Sequence, residues 1–293
     1  MKSFASFHPI VIFVYYVAVI ILTMFMMHPF ILGLSLFGSL VLFALMNPIR
    51  VFWRDICFYA LFFLLIAITN PIFVHKGETI LFFLNDNPVT LEAIIYGFAV
   101  ATMLVAVIFW SKSYNDIITS DKFIYLFGKI VPKLSLIISI ALRFIPLFKE
   151  QIKKVNQTQK TLGLYTSKSI SDRVLSGIRL FNSLITWALE NSIQQADAMK
   201  AQGYGLKGRT NFSLFYWYVR DIIMLTFILL IFGSIMFLYV KDSNHFTYYP
   251  IITKIPLSIQ NICQFVLILI LMILPSLIEV KEIIQWKYLK SKM

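Results

Sequence analysis

The sequence predicts an all-α, polytopic integral membrane protein: about six transmembrane helices plus two long amphipathic helices outside the bilayer. Three observations lead there. Of the 293 residues, 59% are hydrophobic and only 14% charged, with a mean hydropathy of +0.81; a soluble domain carries roughly 25% charged residues. Six charge-free apolar runs of 17 to 24 residues recur along the chain. A polar stretch of about a hundred residues separates the fourth run from the fifth. One water-soluble core cannot bury so much apolar surface, which excludes a soluble enzyme, a disordered chain and a secreted disulfide scaffold. Barrel-type alternation is absent, so the runs read as helices.

The runs are 10–27, 30–46, 56–74, 93–111, 222–240 and 255–278, each matching the roughly 17–25 residues that a spanning helix needs. The first is followed at once by His28-Pro29 and a second run, so it is not a cleaved leader. Cys57 and Cys263 lie inside runs and read as small core residues. Loop charges set the orientation. Residues 143–209 hold eleven Lys and Arg against four acids, and 76–92 hold one Lys against three acids. Both termini and the long middle segment are therefore expected in the cytoplasm. The excess of 26 basic over 14 acidic residues reads as membrane topology, not nucleic-acid binding. The chain divides into a four-span bundle (1–111), a cytosolic region (112–213) and a two-span segment (214–293).

In the middle region, residues 134–142 are apolar but too short to span. They are expected as a re-entrant or membrane-surface helix bounded or kinked by Pro132 and Pro146. Residues 172–202 read as one long helix with Ser171 as N-cap. Val174, Ile178, Phe181, Ile185 and Ala188 recur at helical spacing, and Ala196 and Met199 extend that face. Leu175, Leu180, Leu184 and Trp187 widen it. Such a helix must pack on the rest of the chain or on a partner protein. Two helix ends are alike. Gln159-Lys160-Thr161-Leu162-Gly163 and Met199-Lys200-Ala201-Gln202-Gly203 each put Gly where a left-handed residue stops a helix, followed by apolar Leu164 or Tyr204.

An ordered set of motifs completes the picture: Asn70-Pro71-Ile72-Phe73-Val74-His75-Lys76-Gly77, Pro88-Val89-Thr90-Leu91-Glu92, Tyr96-Gly97, Leu142-Arg143-Phe144-Ile145-Pro146, Ala188-Leu189-Glu190, and Ala198-Met199-Lys200-Ala201-Gln202-Gly203-Tyr204-Gly205. In this order the chain resembles the transmembrane T component of energy-coupling factor (ECF) transporters over most of residues 60–210. The resemblance implies a non-catalytic scaffold that joins a membrane-embedded, substrate-binding S component to two cytosolic ABC-type ATPases. Such a scaffold serves uptake of a vitamin or metal ion in a bacterial or archaeal cell membrane. It also implies that ATP is bound by the partner ATPases and no cofactor by this chain. Two coupling helices of the family end in Ala-Arg-Gly-like motifs that dock on the ATPases. By position these fall on Thr161-Leu162-Gly163 and Ala201-Gln202-Gly203. Both arginines are absent, replaced by Leu162 and Gln202, which cannot make bidentate charged contacts. Lys160 and Lys200 sit two residues earlier, about 200° round the helix. Three readings follow: an ATPase groove that has changed with the motif; docking by packing and by Lys149, Lys153, Lys154, Lys207 and Arg209; or weak or repurposed coupling. Arg143, beside Pro146, either snorkels to the membrane face or ties the coupling helices together through an acid such as Glu190.

No P-loop, zinc-protease or nucleophile-elbow motif is present. The four histidines, His8, His28, His75 and His245, sit at span ends and read as interfacial, not metal-binding. Acids are absent from the runs, which argues against a proton-coupled pump. A stand-alone secondary carrier and a membrane-embedded lipid or prenyl enzyme are the alternatives. The first lacks internal repeats and the second lacks paired acids.

Overall fold

The structure, a computed structural model, describes residues 4–74, 76–84, 87–128, 131–163, 170–204, 215–241, 246–253 and 258–291. Among these, a 3-10 turn (Phe4–Ser6) precedes α1 (Pro9–Phe25), α2 (Pro29–Met46) and α3 (Ile49–Phe73). A hairpin of β1 (Ile80–Leu84) and β2 (Asn87–Thr90) follows. Then come α4 (Leu91–Ile117), α5 (Ser120–Gly128), α6 (Pro132–Thr161), α7 (Ile170–Ala201), α8 (Val219–Lys241) and α9 (Ile259–Ser291). The chain forms two compact units, Met1–Thr119 with Phe215–Met293, and Ser120–Leu214.

In the first unit, α2, α3, α4, α8 and α9 are long and apolar enough to cross a bilayer. The protein is a multi-pass membrane protein. α1, expected as a sixth span, is apolar but has only 17 residues, about 25 Å at 1.5 Å per residue. It stops at Phe25 because Pro29 already opens α2. Both helices are capped in a way the sequence did not announce. His8 and His28 each accept a hydrogen bond at Nδ1, from the N–H of Ile10 and Phe30 respectively, at 3.3 Å. An imidazole thus fills the place a Ser or Asp usually takes, with Pro at the first helical position. His75 and His245 lie outside the described residues.

α4 packs on α1, α2 and α3, α2 on α9, and α8 on α1 and α9. In lipid the hydrophobic effect gives little preference between helix and acyl chain, so close approach and polar contacts hold the helices together. Trp110 Nε1 donates to Ser35 Oγ at 3.1 Å, and Ser35 shares a 2.7 Å hydrogen bond with Thr23 Oγ1, linking α4, α2 and α1. Tyr15 Oη donates to the Leu271 carbonyl of α9 at 3.1 Å. The 3-10 turn is drawn into this core. Phe4 is fully buried against Tyr15 and Tyr16, and its N–H donates to Glu279 Oε1 at 3.0 Å. That bond gives one donor to a buried carboxylate on α9, a helix that continues through the polar tail to Ser291. Cys57 and Cys263 are exposed rather than in the core; each sits on an outward face of its helix.

The hairpin was not expected from an all-α pattern. Its strands are too short to register among the long runs. It is held at its base by Glu92 in the first turn of α4, where a carboxylate also suits the helix dipole. Glu92 accepts from Thr79 Oγ1 at 2.8 Å and from the Thr79 N–H at 3.3 Å. Thr90, the N-cap of α4, donates to the Lys76 carbonyl at 2.8 Å. Replacing Glu92 by Ala removes the acceptor, and we expect exchange of the Thr79 amide to accelerate by about an order of magnitude. Hydrogen–deuterium exchange with unchanged protection across α4 is the check.

In the second unit the 134–142 run is not bounded as a short helix of its own by Pro132 and Pro146. It is the opening of α6, a single 30-residue helix. Pro132 sits in its first turn, where no N–H is needed, and the helix continues through Pro146 with the Leu142 carbonyl losing its usual partner. α7 begins at Ile170, so Ser171 lies inside the helix and not before it.

Candidate functional site

The two ends of α6 and α7 share one geometry. At α6, Leu162 N–H donates to the Thr158 carbonyl at 3.0 Å and Gly163 N–H to the Lys160 carbonyl at 3.1 Å, with Gly163 at φ +71°. At α7, Gln202 N–H donates to Ala198 at 3.0 Å, Gly203 N–H to Lys200 at 2.9 Å and Tyr204 N–H to Met199 at 3.0 Å, with Gly203 at φ +74°. The last two bonds of α7 are those of a Schellman stop, in which the left-handed residue turns the chain back over orphan carbonyls. The spacing of Gly163 and Gly203 predicted this. Leu164, Gly205, Lys207 and Arg209 lie outside the described residues.

The side chains around these stops point mostly outward. Leu162 is 69% exposed, an apolar knob at the tip of α6. Lys160, Thr161, Ala198, Ala201 and Gln202 are exposed, as are Lys149, Lys153 and Lys154. Among the described residues Lys200 pairs loosely with Asp197 at 3.9 Å. Gln159 is the exception. It is buried, and among the described residues its Oε1 has no hydrogen-bond partner. Thr158 and Thr161 turn their hydroxyls back onto the Lys154 and Thr158 carbonyls at 3.0 and 2.8 Å.

Of the two readings of Arg143, the structure does not join it to Glu190. Both are exposed, and no ion pair joins them among the described residues. α6 meets α7 instead through Phe148 on Trp187, edge to face with ring centroids 5.5 Å apart. The wide apolar face expected of α7 divides in two. Leu184 is buried, with Leu180, Trp187 and Ala188 half-buried. Val174, Ile178, Phe181 and Ile185 stay exposed, and Ile170, Leu189 and Ile193 continue that stripe. Their exposure runs from 42% at Ile185 to 79% at Ile170. Leu189 and Ile193 were missed by the sequence reading, although each lies four residues after a stripe member. Among the described residues no three His, Cys, Asp or Glu side chains come together as a metal site.

The comparisons with known proteins give the class, a transmembrane component of a transporter. The family model for cobalt transport protein (CbiQ) matches residues 2–214. Curated relatives agree. The energy-coupling factor transporter transmembrane protein EcfT of Staphylococcus aureus is 30% identical over 180 residues, 57% of this chain and 67% of the relative. That of Listeria innocua is 31% identical over 187 residues, covering 60% and 71%. That of Macrococcus caseolyticus is 28% identical over 194 residues, covering 62% and 72%. The chain belongs to this family of transmembrane components of energy-coupling factor transporters.

Proposed function

We propose that the chain is the non-catalytic scaffold of an ECF-type ABC importer. In this reading it passes the ATP-driven movement of two cytosolic ATPases to a membrane-embedded S component that binds a vitamin or metal ion. The observation that carries it is the pair of left-handed glycine stops at the tips of α6 and α7, on Gly163 and Gly203. Two helices with the same rigid end, each presenting an exposed side chain just before the turn, suit two equivalent docking grooves. Leu162 and Gln202 stand where the family has arginine, so docking rests on packing and hydrogen bonding at the tips. Exposed Lys149, Lys153 and Lys154 supply charge along α6. The apolar stripe of α7 from Ile170 to Ile193 fits an apolar partner surface, and the S component is the partner of that chemistry. ATP then binds the ATPases and no cofactor binds this chain. Both termini lie in the cytoplasm, where the basic segments prefer to stay.

The test is a pull-down of the tagged chain from solubilised native membranes, read by mass spectrometry. Two ABC-type ATPases and a small membrane protein are expected, and the identity of the latter narrows the substrate. Recovery of the chain alone, with substrate uptake by the chain in liposomes without ATPases, would replace this reading with a stand-alone carrier.

A further inference from the structure

Within the membrane unit, α2, α3 and α4 enclose a groove of about 260 Å³. Leu36 and Leu40 of α2, Tyr59, Ala60 and Phe63 of α3 and Phe109 of α4 form its wall, and no polar atom faces it. The groove is open, with Ala60 exposed in its wall. One end carries charge. Lys112, one helical turn beyond Phe109, places Nζ 4.7 Å from the centre of the Tyr59 ring and 5.5 Å from that of Phe43. It bonds Asp55 Oδ2, while Arg54 Nε reaches Asp55 Oδ1 at 3.2 Å. Two cations against one carboxylate leave one positive charge on the cluster. The side chain of Arg54 is 74% exposed and that of Lys112 32%. Arg50, also exposed, lies one turn before Arg54.

We propose that this groove is a binding site for an anionic phospholipid. One acyl chain lies along Leu36, Leu40, Ala60 and Phe63, and the phosphate sits against the Arg54–Asp55–Lys112 cluster. The chemistry selects the occupant twice. A wall without polar atoms accepts only hydrocarbon, since a polar ligand group buried there would lose its hydrogen bonds to water. A surplus positive charge at the end of that wall, at the level where a spanning helix meets the headgroups, favours a negative headgroup over a zwitterionic one. Tyr59 joins the two halves, its ring in the wall and beneath the ammonium. On the expected topology this is a lipid of the cytoplasmic leaflet, tied to the α2–α3–α4 contact.

The experiment uses the full chain with whatever partners co-purify, in nanodiscs of phosphatidylcholine alone or with three parts in ten phosphatidylglycerol. Lipids retained after mild detergent extraction are counted by native mass spectrometry. Wild type is expected to retain phosphatidylglycerol at least fivefold above its share of the nanodisc. Arg54→Gln, which leaves the Lys112–Asp55 pair in place, is expected to lose that preference while still retaining lipid. Ala60→Leu, at an exposed position where added bulk fills the groove without crowding the core, is expected to lose retention of both lipids. Equal thermal midpoints in phosphatidylcholine establish that both variants are folded. No enrichment in wild type, or enrichment unchanged in both variants, overturns the proposal. Loss of a co-purifying membrane protein in Ala60→Leu with lipid retention intact overturns it in favour of a partner helix in the groove.

Discussion

Gly203→Val is expected to lower ATPase association at least tenfold while leaving membrane insertion and helix content intact. Gly203 holds φ +74°, a region that costs a residue with a Cβ roughly 1–2 kcal/mol, and a β-branched residue more. A loss of 1.4 kcal/mol already corresponds to about tenfold. The variant has two escapes. It can keep the stop and bear the strain, or unwind it and lose the bonds from Gly203 and Tyr204 to Lys200 and Met199. Either way the tip offered to a partner changes, and nothing in the spanning helices does. Gly203→Asn separates conformation from composition, because Asn tolerates the left-handed region; it is expected to retain most of the association. Gly163→Val tests the other tip. Its hypothetical Cβ meets no atom of the described residues within 4 Å, so a loss there is ascribed to backbone conformation, not to collision with them. Co-purification of the ATPases with each variant, quantified against wild type, is the measurement. Normal recovery with both valine variants would remove the tips from the docking interface.

Gly97→Leu is expected to destabilise the membrane unit by about 2–4 kcal/mol, combining overpacking with the loss of one hydrogen bond. A Cβ on Gly97 would stand 2.7 Å from the Ala67 carbonyl oxygen and 3.1 Å from Asn70 Cβ. Backbone cannot swing aside as a flexible side chain does, so α3 has to move off α4. The bond most exposed to that movement is Asn70 Nδ2 to the Ala93 carbonyl, 2.7 Å. Asn70→Ala alone removes that bond without the clash and is expected to cost about 1 kcal/mol. Unfolding of the purified chain in mixed micelles gives both values. A Gly97→Leu variant as stable as wild type would mean that α3 and α4 do not cross closely at this point.

These two positions show how differently the sequence speaks. Asn70 and Tyr96-Gly97 were legible as members of a motif set but silent about why they matter. Only the structure brings Asn70 and Gly97 together at one helix crossing. The left-handed glycines at both tips were legible, and at α7 the Schellman stop with them, because such a stop is set by residues within one turn of each other. The apolar face of α7 was legible as a period. Which half is buried was not, since Leu184 and Phe181 are equally apolar and the choice depends on how α7 meets α6. Of the two readings of Arg143, the tie to Glu190 is not seen among the described residues, for the same reason. Charge complementarity in a sequence says nothing about whether two side chains 47 positions apart share a face.

The sequence by itself determined the class of fold, five of the six runs read as spans and the chemical character of the two helix tips. Each follows from local composition or from spacing within a few turns, and in a membrane the length of an apolar run is itself a geometric measurement. Tertiary structure alone decided the clamp of Glu92 on Thr79, the burial of Phe4 beneath Glu279, the exposed stripe of α7 and the groove beside Lys112. Each of these depends on where the chain returns after a loop. Helices of similar hydropathy pack by shape and by a few polar contacts, and neither is written in the order of residues along one helix.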